Sequence, residues 1–264
     1  MNLALDTPLP PGALCDDAAG VLAPAFAATR TLWWHGAEAD MATDKTGAVT
    51  HWHPRSGEIT MRPTKPNEGN GTLGFAGDLT GLQCRHGAQS GLFADRAIPG
   101  DAATATIAIR WYVAEGDEAR TLFTLNTAVH AAEEGGGNYL FLSADASTLT
   151  SKDDANTVET SLPLPNSDAP RMAIVSLHAG RMALQLLGAD RAEARSPTPI
   201  LTGPASLFLG CRNQRPRLVK TLGGALILDA WLWPGRALLH SDTDEDRALL
   251  TALHRYRLWS EDAA

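Results

Sequence analysis

The chain has 264 residues, of which 44% are hydrophobic and 20% are charged. This composition is typical of a globular domain, and a chain of this length can bury a core without disulfides or metal ions. Its formal net charge of −8 argues against non-specific binding to nucleic acid, which requires a basic surface.

Residues 1–29 are rich in Ala, Pro and Gly and show no periodicity, so we interpret them as an arm for attachment or homo-oligomerisation. They lack the basic region of a signal peptide and carry Pro8, Pro10 and Pro11 early, so no signal peptide is expected. No apolar run in the chain is long enough to span a bilayer, so membrane insertion is not expected. These features predict synthesis in the cytoplasm, followed by release on lysis if the protein belongs to a virion or phage-like particle.

From residue 30 onward, short apolar runs alternate with turn residues. In the segment 106–113, the apolar Ile107, Ile109 and Trp111 fall on one face, which is the pattern of a half-buried strand. Many short strands without a repeating strand–helix–strand order predict an all-β fold, with residues 30–264 as one two-sheet antiparallel sandwich. The predicted strands are 31–35, 49–53, 72–76, 80–84, 106–113, 120–126, 138–143, 157–161, 171–178, 181–187, 206–210 and 225–233.

One helix is predicted, close to the C-terminus. Asp242 can cap its N-terminus together with Glu245, three residues later. Leu249, Leu253 and Tyr256 then recur at helical spacing, which indicates one apolar face.

The cysteines Cys15, Cys84 and Cys211 are odd in number and widely spaced. This pattern predicts neither a disulfide framework nor a metal-binding cysteine pair. We expect buried free thiols.

Several segments of the chain resemble, in order, the motifs of laminin-G-like domains. They are His51–Gly57, Thr72–Asp78, Arg181–Gly188, Leu207–Gly210 and Gly224–Leu232. One departure is Ala76, which stands where the motif has an acidic residue. The resemblance covers residues 30–259 and implies a concanavalin A-like jelly roll, a fold that often binds carbohydrate and sometimes calcium.

The run Trp231–Ala237 is similar to segments of phage and prophage-derived proteins. This resemblance implies a head spike or fibre of a phage-like particle, such as a gene transfer agent, that binds capsular polysaccharide. Residues 1–29 would then attach the protein to the particle.

Glucanases of this fold carry a strand of alternating carboxylates, because two carboxylates must flank the glycosidic bond. In this chain Glu38-Ala39-Asp40 has no third carboxylate, and the segment 115–118 breaks the alternation. Serine-hydrolase, zinc-protease and phosphate-loop motifs are also missing from the sequence. We therefore predict a non-catalytic protein and keep a divergent glycoside hydrolase as an alternative.

Asp229 is in phase with the apolar Ile227, Trp231 and Trp233 of the last predicted strand. A carboxylate on a buried face needs hydrogen-bond donors or a cation. One interpretation is a calcium site formed with Asp78, although calcium takes six to eight oxygen ligands. The other, which we favour, is a structural aspartate that accepts hydrogen bonds from backbone amides.

A sugar site needs a flat aromatic ring for stacking and planar polar groups that pair with hydroxyls. Trp33 and Trp34 are adjacent and must point to opposite faces of a strand, so one of them should be exposed or at an interface. Trp34 and Trp52 are the candidate stacking residues.

Two loops could supply the polar groups of a sugar site. The first is the glycine-rich segment 133–139, which ends in Asn138 and Tyr139. The second is the basic loop 211–220, whose candidates are Arg212, Asn213 and Arg215. Arginine binds carboxylates with two hydrogen bonds, so this loop favours an acidic polysaccharide, although a solvated loop that balances acidic neighbours explains the charges equally well.

These observations favour a non-catalytic protein that binds cell-surface polysaccharide. The alternative of a different class is a structural protein, a capsid decoration or oligomerisation module without a ligand.

Overall fold

The structure is a computed structural model that describes residues 20–22, 30–129, 137–212 and 219–262. Its described part is an antiparallel β-sandwich of two large sheets, with a C-terminal α-helix packed on the outside. The predicted all-β jelly-roll class is therefore confirmed. No helix in the described ranges is long and apolar enough to cross a membrane.

The first sheet has nine strands, numbered here in chain order through both sheets. Its central path runs β16-β15-β14-β9-β18-β1-β4, and the hairpin β6–β7 joins it through the start of β18. The strands are β1 (Leu32–His35), β4 (Pro54–Ser56), β6 (Thr72–Ala76), β7 (Leu79–Gln83), β9 (Thr104–Tyr112), β14 (Arg171–His178), β15 (Arg181–Leu186), β16 (Arg191–Arg195) and β18 (Leu226–Pro234).

The second sheet has seven strands in the order β13-β12-β11-β10-β17-β8-β5. They are β5 (Arg62–Pro63), β8 (Leu92–Ile98), β10 (Arg120–Asn126), β11 (Tyr139–Ala144), β12 (Thr148–Asp153), β13 (Glu159–Pro163) and β17 (Ala205–Leu209). A separate two-stranded unit pairs β2 (Met41–Thr43) with β3 (Val49–Trp52). Short 3-10 helices cover Glu38–Asp40, Val219–Thr221 and Leu238–His240.

The main core lies between the two sheets and follows the alternation of the strands. Ile107, Ile109 and Trp111 of β9 belong to it together with Leu140 and Leu142 of β11, and all five are fully buried. Because successive side chains of a strand point to opposite faces, this single core fixes which residues of each strand face outward.

The helix α1 (Asp244–Asp262) closes the outer face of the first sheet. Leu249, Leu253 and Tyr256 pack there against Trp231 and Trp233, and these five side chains are all at most 1% exposed. Residues 20–22, assigned to the arm from the sequence, are helical and contribute to the same cluster through the fully buried Leu22. The body of the protein thus includes part of the segment before residue 30.

A β-bulge divides β18 into two phases. The register with β9 shifts between Ile227 and Asp229, so Ile227 faces the inter-sheet core and Asp229 faces outward beneath α1. Two glycines allow the backbone to approach this bulge: a Cβ on Gly36 would lie 2.5 Å from the Leu228 carbonyl oxygen, and one on Gly81 2.2 Å from that of Ile227. The sequence-based phasing of Asp229 with Ile227 was wrong, because a bulge re-aims the residues after it.

The cap of α1 differs by one residue from the prediction. Thr243, rather than Asp242, accepts a hydrogen bond from the Asp246 amide (3.2 Å) and donates one to the Asp246 carboxylate (2.9 Å). The Thr243 hydroxyl therefore caps the helix as in half of a capping box, but the Asp246 carboxylate accepts from that hydroxyl and not from the Thr243 backbone amide, which donates to Ser241 (3.3 Å).

Two of the three cysteines lie in the described ranges, and both are free and buried as expected. Burial raises the pKa of the Cys84 and Cys211 thiols to about 12. Cys15 lies outside the described residues.

The contact between α1 and the first sheet can be tested with two leucines of the same helix. Leu253→Ala removes a side chain that is 0% exposed, and we expect a loss of about 2–5 kcal/mol in the free energy of unfolding. Leu258→Ala, at a position 53% exposed, should change it by about 0.5 kcal/mol or less. Urea denaturation measures both, and equal losses would contradict the packing described here.

Candidate functional site

A groove of about 360 Å³ crosses the outer face of the second sheet. We call it the basic groove, because its lining includes four cationic side chains and one carboxylate, that of Asp145. Strands β10, β11 and β12, the residue Arg212 and the 3-10 helix at 219–221 form its walls. The lining residues are Arg120, Thr121, Ser143, Ala144, Asp145, Thr148, Thr150, Lys152, Arg212, Lys220 and Thr221.

A row of hydroxyl groups runs across four neighbouring strands of this face. Thr121 of β10 pairs with Ser143 of β11, Ser143 with Thr150 of β12, and Thr150 with Ser161 of β13. The hydroxyls of Thr150 and Ser161 lie 2.9 Å apart. Strands are about 4.8 Å apart in the pairing direction, so the row offers a donor and acceptor at each strand step. Exposure increases along it, from the buried Thr121 to the exposed Ser161.

Arg212 lies over the ring of Phe141, with its guanidinium carbon 3.7 Å from the ring centroid. Its Nε donates to the Thr121 hydroxyl (3.4 Å), and the guanidinium also donates to Tyr139. Burial lowers the pKa of Arg212, whereas Tyr139 and Asp154 raise it, and the guanidinium stays protonated. The structure therefore brings together Tyr139 and Arg212, predicted from separate loops: Arg212 lines the basic groove, and Tyr139 is buried beside it.

The four cations differ in their partners. Arg120 pairs with Glu118 (2.5 Å), and Lys152 pairs with Glu159 (3.5 Å). Within the described ranges, no carboxylate lies within the 4.0 Å salt-bridge distance of Arg212 or Lys220. These two cations are therefore available to an acidic ligand.

Asn138 has a structural role instead of facing the groove. Its Nδ2 donates to the Asp153 carboxylate (2.9 Å) and to the Ile200 carbonyl (3.3 Å), and its Oδ1 accepts from the amides of Tyr139 and Ala155. A side-chain amide has two donor hydrogens and two lone pairs, so all are in use. The prediction that Asn138 contacts a sugar does not fit this arrangement.

Trp34 and Trp52 are fully buried, so the prediction that they stack on a sugar was wrong. Their indole N–H groups donate inward, to the carbonyls of Ile59 (2.9 Å) and His35 (2.7 Å). Trp33, on the opposite face from Trp34, is also buried, because α1 covers that face. The argument that one of two adjacent tryptophans must be exposed fails for a sheet that is covered on both sides. The two remaining candidates, Asn213 and Arg215, lie outside the described residues.

The carboxylate of Asp229 is fully buried and accepts four hydrogen bonds from side chains. Its Oδ1 accepts from Trp33 (3.1 Å) and His35 (2.7 Å), and its Oδ2 accepts from Tyr256 (2.8 Å) and Arg110 (3.3 Å). Burial opposes ionisation, but His35 and Arg110 outweigh it, and the net pKa of Asp229 lies below its usual value. The structural interpretation is supported, with side chains in place of the expected backbone amides.

The proposed calcium site of Asp78 and Asp229 does not fit these contacts. Donors surround Asp229, and one of them is a guanidinium that would repel a cation. Asp78 is exposed in the turn between β6 and β7. Across the part of the chain that the structure describes, no group of three or more His, Cys, Asp or Glu side chains is placed to hold a metal ion.

Asp78 nevertheless lies near the surroundings of Asp229. A pocket of about 250 Å³ opens between the β6–β7 turn, the end of β1 and the C-terminal half of α1. Asp78, Thr80, His35, Arg110 and Trp259 line it, and we call it the α1 pocket. It lies on the opposite side of the sandwich from the basic groove.

The chain is similar in fold to several solved structures of carbohydrate-active proteins. Domain 4 of AbnA, a GH43 extracellular arabinanase from Geobacillus stearothermophilus solved in complex with arabinotriose, is 13% identical, with a TM-score of 0.51 over 84% of this chain and 97% of that one. A Trypanosoma rangeli sialidase in complex with sialic acid is 11% identical, with a TM-score of 0.53 over 85% of this chain.

The chain spans about a third of that sialidase, 33% of its length. A GH54 α-L-arabinofuranosidase is 10% identical, with a TM-score of 0.50 over 87% of this chain and 59% of that one. At these identities the similarity establishes the sandwich fold alone. No protein-family model and no curated protein matches the chain.

Sequence reasoning missed most of the groove's floor. Arg120, Ser143 and Lys152 were not among the candidates, although Thr148, Thr150 and Lys152 alternate with buried residues in β12. That alternation marks an outward polar face, but the sequence alone does not show which strands are neighbours. The register of β10, β11 and β12 is what brings these side chains together.

Asp229→Asn tests the buried carboxylate. It leaves Arg110 without its charged partner, and we expect a loss of about 3–5 kcal/mol in the free energy of unfolding at neutral pH. The folded-state pKa of Asp229 is lowered, so the native carboxylate contributes stability above about pH 4, the unfolded value, and loses it as the pH falls through the folded pKa.

The variant should therefore show a flatter acid dependence than the native chain in urea denaturation measured from neutral pH to about pH 2. Asp78→Asn, at an exposed position, is the control and should leave the neutral-pH stability within about 0.5 kcal/mol. A native acid dependence in Asp229→Asn would contradict the role assigned to this side chain.

Proposed function

We propose that the protein is a non-catalytic carbohydrate-binding protein that binds an acidic cell-surface polysaccharide along the basic groove. One observation carries the proposal: cationic side chains border a row of hydroxyls on an open sheet face of a chain whose net charge is −8. Four cations and one carboxylate line this groove, against a chain-wide excess of acidic residues.

The groove matches the two kinds of polar group on an acidic polysaccharide. The hydroxyls of Ser143, Thr150 and Ser161 can both donate and accept, as sugar hydroxyls require. Lys220 and Arg212 supply positive charge for carboxylates. Stacking on Phe141 holds the Arg212 guanidinium in place, so little side-chain entropy is lost when a carboxylate binds it.

The fold comparison supports carbohydrate as the ligand class. Domain 4 of the arabinanase AbnA, which this chain resembles over nearly the whole domain, was solved with arabinotriose. A sandwich of this shape can therefore hold a short oligosaccharide. In this chain the open face with polar groups suited to such a ligand is the basic groove.

The groove's chemistry favours binding over hydrolysis. Glycosidases use two carboxyl groups about 5–10 Å apart. Among the described residues, Asp145 is the one carboxylate that lines the groove, and it accepts hydrogen bonds from the amides of Ser147 (2.9 Å) and Thr148 (2.8 Å). These bonds lower the pKa of Asp145, which disfavours a role as a proton donor. Release of reducing sugar from a bound polysaccharide would overturn this part of the proposal in favour of a hydrolase.

The proposed setting is the surface of a phage-like particle, where many copies would act together. Single shallow sugar sites bind weakly, and multivalent display raises the overall affinity. Residues 1–19 would then serve for attachment, while 20–22 belong to the body. Light scattering of the full chain and of a chain lacking residues 1–19 tests this: loss of assembly with retained polysaccharide binding supports it. Assembly without any glycan binding would favour the structural alternative.

The groove is tested at two of its lysines, the exposed Lys220 and the half-buried Lys152. Lys220→Gln should weaken retention on an acidic polysaccharide, such as alginate or polygalacturonate, by about two- to five-fold, because one ion pair at the surface is lost. Lys152→Gln should act in the same direction. Lys45→Gln, an exposed lysine in the turn between β2 and β3, is the matched control and should change nothing.

Retention is measured by affinity electrophoresis at several salt concentrations. Binding by the groove should weaken with salt, because exposed charges are screened. Arg212→Lys, which keeps the charge but loses the stacked fork, should bind more weakly than the native chain. No retention on any acidic polysaccharide, or an equal effect of Lys45→Gln, would overturn the proposal.

A further inference from the structure

We propose that the α1 pocket is a second carbohydrate site, which takes one neutral sugar ring. It is separate from the basic groove and is lined by different residues. The pocket measures about 250 Å³, below the range of about 300–1,000 Å³ that is typical of sites for drug-sized ligands. Its size therefore suits one small ring more than a polymer segment.

Arg110 is the first observation that points to a ligand. The residue is only 6% exposed, and it lines the pocket. A guanidinium has five donor hydrogens. Arg110 makes one long contact to Asp229 (3.3 Å) and one hydrogen bond with Tyr256, so it does not use all five. No Arg110 nitrogen is both fully buried and without a partner. The N–H groups that Asp229 and Tyr256 do not use are therefore accessible, and Arg110 lines this pocket. These N–H groups can donate to water or to the hydroxyl oxygens of a bound ligand.

His35 adds a second directed polar group. Its Nδ1 lies 2.7 Å from Asp229 Oδ1. The ionised carboxylate can only accept, so Nδ1 carries the proton and donates. The other ring nitrogen, Nε2, points away from Asp229, and the His35 ring, 20% exposed, lines the pocket. In the neutral imidazole Nε2 is a hydrogen-bond acceptor. The pocket wall then carries both the donors of Arg110 and the acceptor of His35.

The rest of the lining completes a sugar-like environment. Trp259 is half-buried and lines the pocket, with the Tyr256 ring stacked against it at 5.7 Å between centroids. Ser260 donates to the Arg257 carbonyl (2.8 Å), which leaves its lone pairs for a ligand hydroxyl. Thr80 adds a hydroxyl, and Asp78 a carboxylate at the exposed rim. An aromatic ring beside convergent donors and acceptors is what a pyranose requires.

Charge decides between a neutral and an acidic sugar. The positive charge of Arg110 is balanced by Asp229, which is ionised and fully buried. At a pH where His35 is neutral, Asp78 leaves one formal negative charge on the pocket wall. A carboxylate ligand would be repelled, whereas sugar hydroxyls can donate to Asp78 and accept from Arg110. The α1 pocket thus has the opposite charge preference from the basic groove.

The experiment uses the full chain and titrates it with methyl β-D-glucopyranoside, methyl β-D-galactopyranoside and methyl α-D-mannopyranoside. Binding is followed by protein NMR shifts, which detect millimolar affinities. We expect at least one of these neutral glycosides to bind, and methyl β-D-glucuronide to bind at least several-fold more weakly. The reverse preference would overturn the proposal, as would no binding by any of them.

Two variants locate the site. Ala37→Phe places a ring into the pocket from a half-buried lining position and should abolish binding. Ala39→Phe, at an exposed position in the adjacent 3-10 helix, is the matched control and should bind like the native chain. Equal effects of the two variants, or binding that survives Ala37→Phe, would contradict the assignment.

Asp78→Asn tests the rim without touching the buried contacts of Asp229. It removes a charged acceptor for sugar hydroxyls, and we expect about a two- to ten-fold loss of affinity for the neutral glycoside. The same variant should reduce the difference in affinity between the glucoside and the glucuronide, because the charge that repels the glucuronide carboxylate is gone. An unchanged difference would overturn the charge argument. Retention on acidic polysaccharide should be unaffected in all three variants, so failure of this site and failure of the basic groove are distinguishable.

Discussion

The buried carboxylate of Asp229 is the interaction on which the arrangement of the protein depends. It joins Trp33 and His35 of β1, Arg110 of β9 and Tyr256 of α1 at one point of β18. An ionised group inside a protein is tolerated only when its hydrogen-bonding capacity is filled, so each of these elements must be in place for the others to be stable. The helix is thereby tied to one sheet, and that sheet's outer face is closed. The outer face of the second sheet carries the basic groove.

The sequence was sufficient for the fold class because the alternation of apolar residues is strong where a strand has one core. In β9, Ile107, Ile109 and Trp111 lie in phase and enter the inter-sheet core as predicted. Reasoning from alternation failed for Trp33 and Trp34, because it assumes that one face of each strand is exposed to solvent. Both faces of β1 are buried, and only the position of α1 in space reveals that.

The site was partly predictable for a related reason. Local sequence patterns predicted Arg212 and Tyr139 as site residues, because Arg212 lies in a basic loop and Tyr139 follows a glycine-rich segment. They could not single out Ser143 or Lys152, which are ordinary residues until strand register places them beside Arg212. The bulge at Leu228 was also not predictable from the sequence, because no residue type is specific to such a bulge. It places Asp229 on the opposite face of the strand from the one that simple alternation predicts.

The two buried cysteines make the native fold its own reporter. With a thiol pKa near 12, Cys84 and Cys211 are essentially free of thiolate at neutral pH, and it is the thiolate that reacts with alkylating reagents and oxidants. Neither sulfur reacts until the strands around it separate. The rate at which an alkylating reagent labels these two residues therefore follows the opening of the sandwich, with no residue changed.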